Sequence, residues 1–302
     1  MKTYAAYYDN IVRQDSSSGG IFSVLADNFD VVYGVEMDEE NSFAVYARKT
    51  DDISSLRGSK YIQAKMGDCY NQVKEDLNDG KSVLFTGTAC QVNGLFSFLD
   101  RDYPNLFTID VICHGAPTPK YWQKFIEGKK VQKINFRSKD GGWENYTYGM
   151  KLNDTYIPYD KNKFMSLYVK DYAIRPSCYE CVCKQNKKSD ITLGDFWGIE
   201  KIDPSMSDNK GTSVVFIRTQ RGQELFDSKK NRIIWKEMTY EDGVKQNPSE
   251  YKSASRPERR AEFFLDMEQK DFDELYKKYC PTPSFAKKAK WIIKKTIKKV
   301  LT

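Results

Sequence analysis

The sequence predicts an α/β protein of mixed type, a mixed β-sheet flanked by helices, on three observations. Two apolar strand-like runs, Ser82–Phe85 and Phe107–Cys113, are each followed by a tight turn and a helix. Repeated strand–turn–helix units imply parallel strands whose carboxyl ends share one edge, where ligands collect in open α/β sheets. From Val131 to Pro158 the pattern changes to short β-rich runs, KINFRSK, ENYTYGMKL and TYIPY, which predict strands and turns. The composition, 40% hydrophobic and 30% charged over 302 residues, is that of a globular chain with enough apolar surface for a core.

In chain order, Lys2–Tyr8 alternates weakly and predicts an edge strand. RQDSSSGGIFSVLADNF follows, with Ser16 and Ser17 as N-caps and a helix carrying Ile21, Phe22, Leu25 and Phe29 on one side. Gly19 and Gly20 there would let backbone N–H groups approach an anion, so the segment reads as a phosphate cradle or as a plain capped helix. Strands are expected near Asp30–Met37 and Phe43–Arg48, and a helix from about Gly67 to Leu77 encloses Cys69 as a packed thiol. Arg57, Lys60 and Lys65 precede that helix and suit either an anionic ligand or a solvated loop. Gly87–Gln91 forms a turn into a helix ending near Leu99; Thr118 and Pro119 begin another. FRSKDGGW, with Arg137, Lys139 and Trp143, could line a cofactor or form an ordinary hairpin. A helix from about Lys163 to Tyr172 leads into RPSCYECVCK, followed by a strand at Ile191–Leu193. Ser213–Arg218 predicts a strand, Gly222–Lys229 a helix and Arg232–Lys236 a last strand. After an irregular Pro248–Pro257, helices near Glu258–Glu268 and Asp271–Lys278 close a body spanning 1–280.

Seven cysteines in a chain without a signal-peptide pattern or an apolar run of ~20 residues predict a cytoplasmic protein whose thiols bind metal or stay free. Seven of the 48 basic residues lie in 281–302, which has no acid, so the remainder carries 41 basic against 42 acidic side chains. A neutral body argues against a nucleic-acid-binding one, which would need a basic face of its own. The tail, FAKKAKWIIKKTIKKVLT, places Phe285, Ala289, Ile292, Ile293, Ile297, Val300 and Leu301 at helical spacing among lysines. It reads as a basic amphipathic helix, giving peripheral contact with the inner face of a membrane or packing on the body.

Cys178 and Cys181 have C-x-x-C spacing, which can place two thiolates on one metal or cluster. Cys90 and Cys113 sit at the carboxyl ends of the two strand–turn–helix units and would face one crevice if those strands are neighbours. The predicted metal ligands are therefore Cys90, Cys113, Cys178 and Cys181, a soft set that suits zinc or an iron–sulfur cluster equally. Cys183 is a competing neighbour. A second reading pairs Cys90, its thiol acidified at a helix N-terminus, with the lone His114 as the nucleophile and base of an acyl transferase or hydrolase. A third is a zinc-stapled accessory protein without catalysis.

GTACQ at 87–91, DVICHG at 110–115, RPSCYEC at 175–181 and SDITLGDFWG at 189–198 resemble the signature segments of the coenzyme F-420 hydrogenase/dehydrogenase beta-subunit family. SSSGGIFS at 16–23 and RGSKYIQ at 57–63 resemble its N-terminal segments, and the likeness runs in order from about Ser16 to Arg218. It divides the body into an N-terminal family segment of about 1–85 and a C-terminal one of about 86–245. The resemblance implies an iron–sulfur flavoprotein oxidoreductase, with Cys90, Cys113, Cys178 and Cys181 holding a [4Fe–4S] cluster. It implies bound FAD, with Ser17, Ser18, Gly19, Gly20, Ser59, Lys60, Tyr61, Gly87 and Thr88 as candidate contacts. No G-x-G-x-x-G follows a strand, so the flavin mode would not be Rossmann-like. Lys60 is a candidate to stabilise the anionic reduced ring, and Lys60 and His114 are the catalytic candidates. Cys183 stands where the family often has phenylalanine. The chain has no run of the two-cluster ferredoxin type found in many bacterial relatives, so a ferredoxin or another separate carrier is the expected donor. F-420 itself is one candidate acceptor. A glycan-linked acceptor, in polysaccharide biosynthesis, is another.

Overall fold

The computed structural model describes residues 1–281; the predicted amphipathic tail, from residue 282 onward, lies outside the described residues. Among the described residues eleven strands form two sheets. The larger has the order β11-β1-β10-β9-β5-β4-β2-β3 and the smaller is β6-β7-β8. The strands are β1 (Lys2–Tyr7), β2 (Val31–Met37), β3 (Ala44–Lys49), β4 (Val83–Thr88), β5 (Leu106–Val111), β6 (Ile134–Ser138), β7 (Gly149–Leu152), β8 (Thr155–Pro158), β9 (Ile191–Asp195), β10 (Ser213–Ile217) and β11 (Ile234–Met238). The mixed sheet read from the sequence is present: β2, β4, β5 and β9 run parallel, and β3, β10, β1 and β11 add antiparallel pairs at the two sides.

The helices are α1 (Ile21–Leu25), α2 (Cys69–Asn78), α3 (Ala89–Leu99), α4 (Pro119–Ile126), α5 (Lys163–Tyr168), α6 (Ile199–Ile202), α7 (Gln220–Asp227), α8 (Tyr240–Val244), α9 (Arg260–Gln269) and α10 (Phe272–Tyr279). α2 and α3 cover β2, β4 and β5 through Val73, Leu77, Val92 and Leu95, and Cys69 is packed there as expected. α1 and α7 cover the opposite face through Ile21, Val24, Leu25 and Phe226. A separate aromatic core, including Tyr121, Trp122, Phe136, Phe164 and Phe263, joins the smaller sheet to α4, α5, α9 and α10. Among the described residues no helix is long and apolar enough to cross a membrane.

Two expectations are corrected. β1 is not an edge strand; it lies between β10 and β11, because Thr3–Ala6 is buried on both faces, whereas β11 carries exposed Ile234 and Trp235 and takes the edge. The helix after the Ser/Gly stretch is a single short turn ending at Leu25, and Phe29 lies beyond it. Asn28 adopts a left-handed φ of 76° ahead of β2, which a continuing right-handed helix excludes.

Candidate functional site

The parallel strands deliver their carboxyl ends to one edge, and β4 and β5 are direct neighbours, with Thr88 opposite Val111. Gly87, next to last in β4, packs against Tyr46; a Cβ there would lie 2.3 Å from the Tyr46 hydroxyl oxygen, so a larger residue would displace that ring. Thr88 caps α3, and Gln91 returns a bond to the Thr88 amide at 2.8 Å, closing a capping box. The box fixes Cys90 on the first turn of α3, exposed, with its Sγ 3.1 Å from Thr88 Oγ1.

Past β5, the Ile112 amide still donates to Leu193 O at 2.8 Å, so the chain leaves the sheet only at Cys113. Residues 116–118 then pair with 173–175: Arg175 N donates to Ala116 O and Thr118 N to Ala173 O, both at 3.0 Å. Gly115 permits this approach, since a Cβ there would sit 3.3 Å from Cys178 Cβ and 3.0 Å from Ile174 Cδ1. Cys178 is thereby set beside the Cys113 turn. The loop carrying Cys181 and Cys183 is held from two sides. Asn93 of α3 donates to Asn186 O at 2.6 Å and accepts from the Lys188 amide at 3.1 Å. From the other side the Cys181 amide donates to Ser253 Oγ at 3.0 Å, and Lys184 donates to both Cys113 O and Ser249 O.

These contacts set the stretches that carry the four predicted ligands beside one another. Cys90, Cys178 and Cys181 all lie within electrostatic reach of Cys113, whose thiol is pushed up to about 12 chiefly by burial and pulled down by Lys184. Cys178 is raised by burial, with Cys90 and Cys181 adding to it. Cys183 is raised by burial and senses Cys181 and Cys90. Among the described residues no three His, Cys, Asp or Glu side chains converge tightly enough to enclose a single ion.

Behind the thiols lies a buried ionic group that the sequence reading missed. Glu250, 2% exposed, binds both Lys187 and Arg218, and Arg218 Nε reaches Thr192 Oγ1 at 2.6 Å. Asp110, opposite Thr192 on β5, is wholly buried, and neither carboxylate oxygen has a hydrogen-bond partner of good geometry. Burial pushes it up to about 6, against the pull of Lys187 and Arg218. The DVICHG run held Asp110 in plain view, but its burial becomes visible only when β4 and β9 close on both sides of β5.

His114 points elsewhere. Its Nε2 lies 2.5 Å from Asp171 Oδ1 and its Nδ1 3.3 Å from Ser249 Oγ. No hydrogen bond joins it to Cys90 among the described residues, so the Cys90–His114 pair is not assembled.

Two of the segments that carry the flavin candidates meet. Ser17 Oγ accepts from the Ser59 amide at 2.7 Å, bringing the SSSGG and RGSKYIQ segments together. The cradle's own donors are largely engaged: Gly19 N donates to Ser213 Oγ at 3.0 Å, and Ser18 Oγ donates to Thr212 O at 2.8 Å. Gly19 is required for close packing, because a Cβ would fall 2.4 Å from Ala6 O. Gly20 starts α1 at a φ of 78°, left-handed backbone that suits glycine. Lys139 braces the loop through three carbonyls, Arg13 O, Ser18 O and Lys210 O, at 2.6–2.7 Å. Trp143 Nε1 adds a bond to Ser17 O at 3.1 Å. FRSKDGGW therefore holds the Ser/Gly loop rather than forming a plain hairpin. Lys60 Nζ donates to Ser55 O at 2.8 Å and Arg57 O at 2.7 Å, leaving one N–H of an ammonium free, and burial pushes it down to about 7. Tyr61 OH accepts from Arg137 at 3.0 Å, and Arg137 also pairs with Asp195 at the end of β9.

A family model for the carboxyl terminus of the coenzyme F-420 hydrogenase/dehydrogenase beta subunit matches residues 80–242. This chain belongs to that family. The matched span contains Cys90, Cys113, Cys178, Cys181 and Cys183. Among solved structures, a chain from xenon derivatization of the F-420-reducing [NiFe] hydrogenase complex of Methanosarcina barkeri is similar, with a TM-score of 0.56 and 20% identity. The match covers 78% of this chain and 81% of that one, and at that identity it speaks for a shared fold. Comparison with curated proteins gives no match. As a member of the family, the chain is an oxidoreductase subunit of the hydrogenase/dehydrogenase type, and its four predicted cysteines stand at the carboxyl edge of the parallel strands.

Proposed function

We propose that this chain is an iron–sulfur flavoprotein oxidoreductase that passes electrons between a separate donor, such as a ferredoxin, and an organic acceptor. The observation that supports the reading is that the stretches carrying the four cysteines lie side by side: Gly115 packs against Cys178, Lys184 donates to Cys113 O, and Asn93 of α3 holds the loop that follows Cys181. The donor set is all thiol. By softness that set suits zinc or an iron–sulfur cluster, and the family to which the chain belongs favours the cluster. When bound, a [4Fe–4S] cluster would supply one-electron transfer, and FAD would convert single electrons to pairs.

The chain's own residues do the rest. Cys90, Cys113, Cys178 and Cys181 would hold the cluster, with Lys184 offsetting thiolate charge at the Cys113 turn. Asn93 and Ser253 orient the 181–188 loop. Ser17, Ser18, Gly19, Gly20, Ser59, Lys60, Tyr61, Gly87 and Thr88 are the proposed flavin contacts, and the free N–H of Lys60 is the group available to an anionic ring. F-420 and a sugar or lipid-linked acceptor are both compatible with this chemistry. In this reading the protein works in the cytoplasm and touches the membrane through 281–302; deleting 283–302 should then release it from membrane fractions. His114, occupied by Asp171 and Ser249, gives the Cys90 nucleophile reading no support.

The test is an absorption spectrum with iron, sulfide, zinc and flavin analysis on protein purified without oxygen. Brown protein with about four irons per chain and releasable FAD is expected. One zinc and no flavin would overturn the reading in favour of a stapled accessory protein.

A further inference from the structure

The buried ionic group behind the thiols has one member that folding leaves unused. Four charged side chains face one another there: Lys187 from the loop ahead of β9, Arg218 just past β10, Glu250 from the stretch after α8, and Asp110 from β5. Glu250 takes both cations, Lys187 on Oε2 and Arg218 on Oε1, and Arg218 spends its Nε on Thr192. Asp110 is wholly buried, and among the described residues neither of its oxygens has a hydrogen-bond partner. Its neighbours across the sheet are Gly87 of β4, which has no side chain to offer, and Thr192 of β9. Asp190, buried just ahead of β9, shows what a structural carboxylate looks like in this protein. It accepts from the Thr108 amide and hydroxyl, from Thr219 and from Arg221, all at 2.7–3.0 Å.

A buried carboxyl without donors favours its protonated form, while nearby cations favour the ionised one. At Asp110 the two pulls nearly cancel: burial raises it, Lys187 and Arg218 lower it, Glu250 raises it, and it titrates at about 6. A group balanced in this way responds to any further charge brought near it, because a low-dielectric interior screens charge weakly. Lys184 connects the group to the crevice. It donates to Cys113 O and to Ser249 O, next to Glu250, and lies within electrostatic reach of Cys113 and Cys181 on one side and of Lys187 and Glu250 on the other. Asp110 itself stands on the strand that ends in Cys113.

We propose that Asp110 is a redox-linked proton acceptor: as one electron from the separate carrier arrives at the cysteine site, the Asp110 carboxylate takes one proton from solvent water and becomes the acid. On reoxidation that O–H bond breaks and the proton returns to water, so the buried net charge is the same in both states. Asp110 touches no reacting atom and acts through the charge it holds. The inference rests on the redox reading and adds to it a proton that travels with the electron.

The test is a potentiometric titration of the full chain, purified without oxygen and carrying its iron, between about pH 5 and about pH 9. Above about pH 6 the wild-type midpoint should fall as pH rises. The limit is a tenfold change in the ratio of reduced to oxidised protein per pH unit, about 59 mV for one electron. Asp110→Asn fixes the neutral form, so its midpoint should stay level at the wild-type acid value. A level wild-type midpoint overturns the proposal. So does a slope that survives in Asp110→Asn, which would assign the proton to His114 or another group. In the wild type, the reduced-minus-oxidised infrared spectrum should gain a carboxylic-acid C=O stretch that shifts in deuterium oxide. Its absence overturns the proposal, and that reading decides should Asp110→Asn fail to fold. Iron, sulfide and zinc analysis separates the two levels: zinc in place of iron fails the redox reading and this inference with it, whereas iron with a level midpoint fails the inference alone.

Discussion

The cysteine crevice and the serine–glycine loop were both marked by sequence as ligand sites, and they spend their polar groups in opposite ways. In the loop, the Gly19 amide, the Ser18 hydroxyl and the Ser17 and Ser18 carbonyls already have partners within the protein. In the crevice, the backbone is anchored on either side of the cysteines, while the thiols carry few bonds of their own, Cys90 meeting Thr88 Oγ1 at 3.1 Å. The same contrast separates two lysines. Lys139 uses all three donors on carbonyls and is structural; Lys60 uses two and keeps one. A ligand site shows itself by capacity that folding does not consume, and by that measure the crevice is the stronger site.

The contrast can be broken most severely from behind the crevice. Glu250→Ala leaves Lys187, 3% exposed, as a buried cation without its partner and should cost ~3–5 kcal/mol in urea unfolding. An equal loss in Glu250→Gln would show that charge, not shape, holds the crevice. Next in size is Asp110. Its folded pKa of about 6 lies above the ordinary carboxylate value, so the native state holds a proton that the unfolded chain releases first. Stability should therefore fall as pH rises from about 4 to about 6 and then level off, by ~3 kcal/mol if Asp110 acts alone. Asp110→Asn should abolish that slope in a series of melts; a slope that survives would assign it to another group.

Smaller effects sharpen the loop side. Lys139→Met removes the donor to three carbonyls and should cost ~2 kcal/mol, with faster amide exchange confined to residues 16–20 and 208–212. No change in that exchange would mean the loop is held by Arg13, which pairs with Asp208 and donates to Gly211 O at 2.7 Å. The smallest stability effect belongs to Cys90→Ala, within ~0.5 kcal/mol because the side chain is exposed. A ligand that contributes little to the fold of the empty chain is what the crevice account expects.

Much of the scaffold was legible because local patterns and global fold agree. The runs at 82–85 and 107–113 end in Gly87 and Gly115, and both strands and both turns occur where the sequence put them. Cys90 and Cys113 were legible as turn residues at the ends of two neighbouring parallel strands, and Cys178 and Cys181 as a C-x-x-C pair. What was not legible depends on contacts far apart in sequence. β1 became interior because β11, over 220 residues later, pairs on its open side. The Glu250 group draws on β9, β10 and two loops, and no spacing rule announces it. Arg137 reads as a cofactor-lining or hairpin residue until Asp195, Tyr61 and Tyr148 are seen to surround it.

The most direct test of the central claim is iron stoichiometry in single cysteine-to-alanine variants of the full chain, purified without oxygen. Cys90→Ala, Cys113→Ala, Cys178→Ala and Cys181→Ala should each lose most of about four irons per chain, while Cys69→Ala and Cys280→Ala retain them. Full iron in any of the first four, or its loss in Cys183→Ala with Cys178 or Cys181 dispensable, would contradict the assignment.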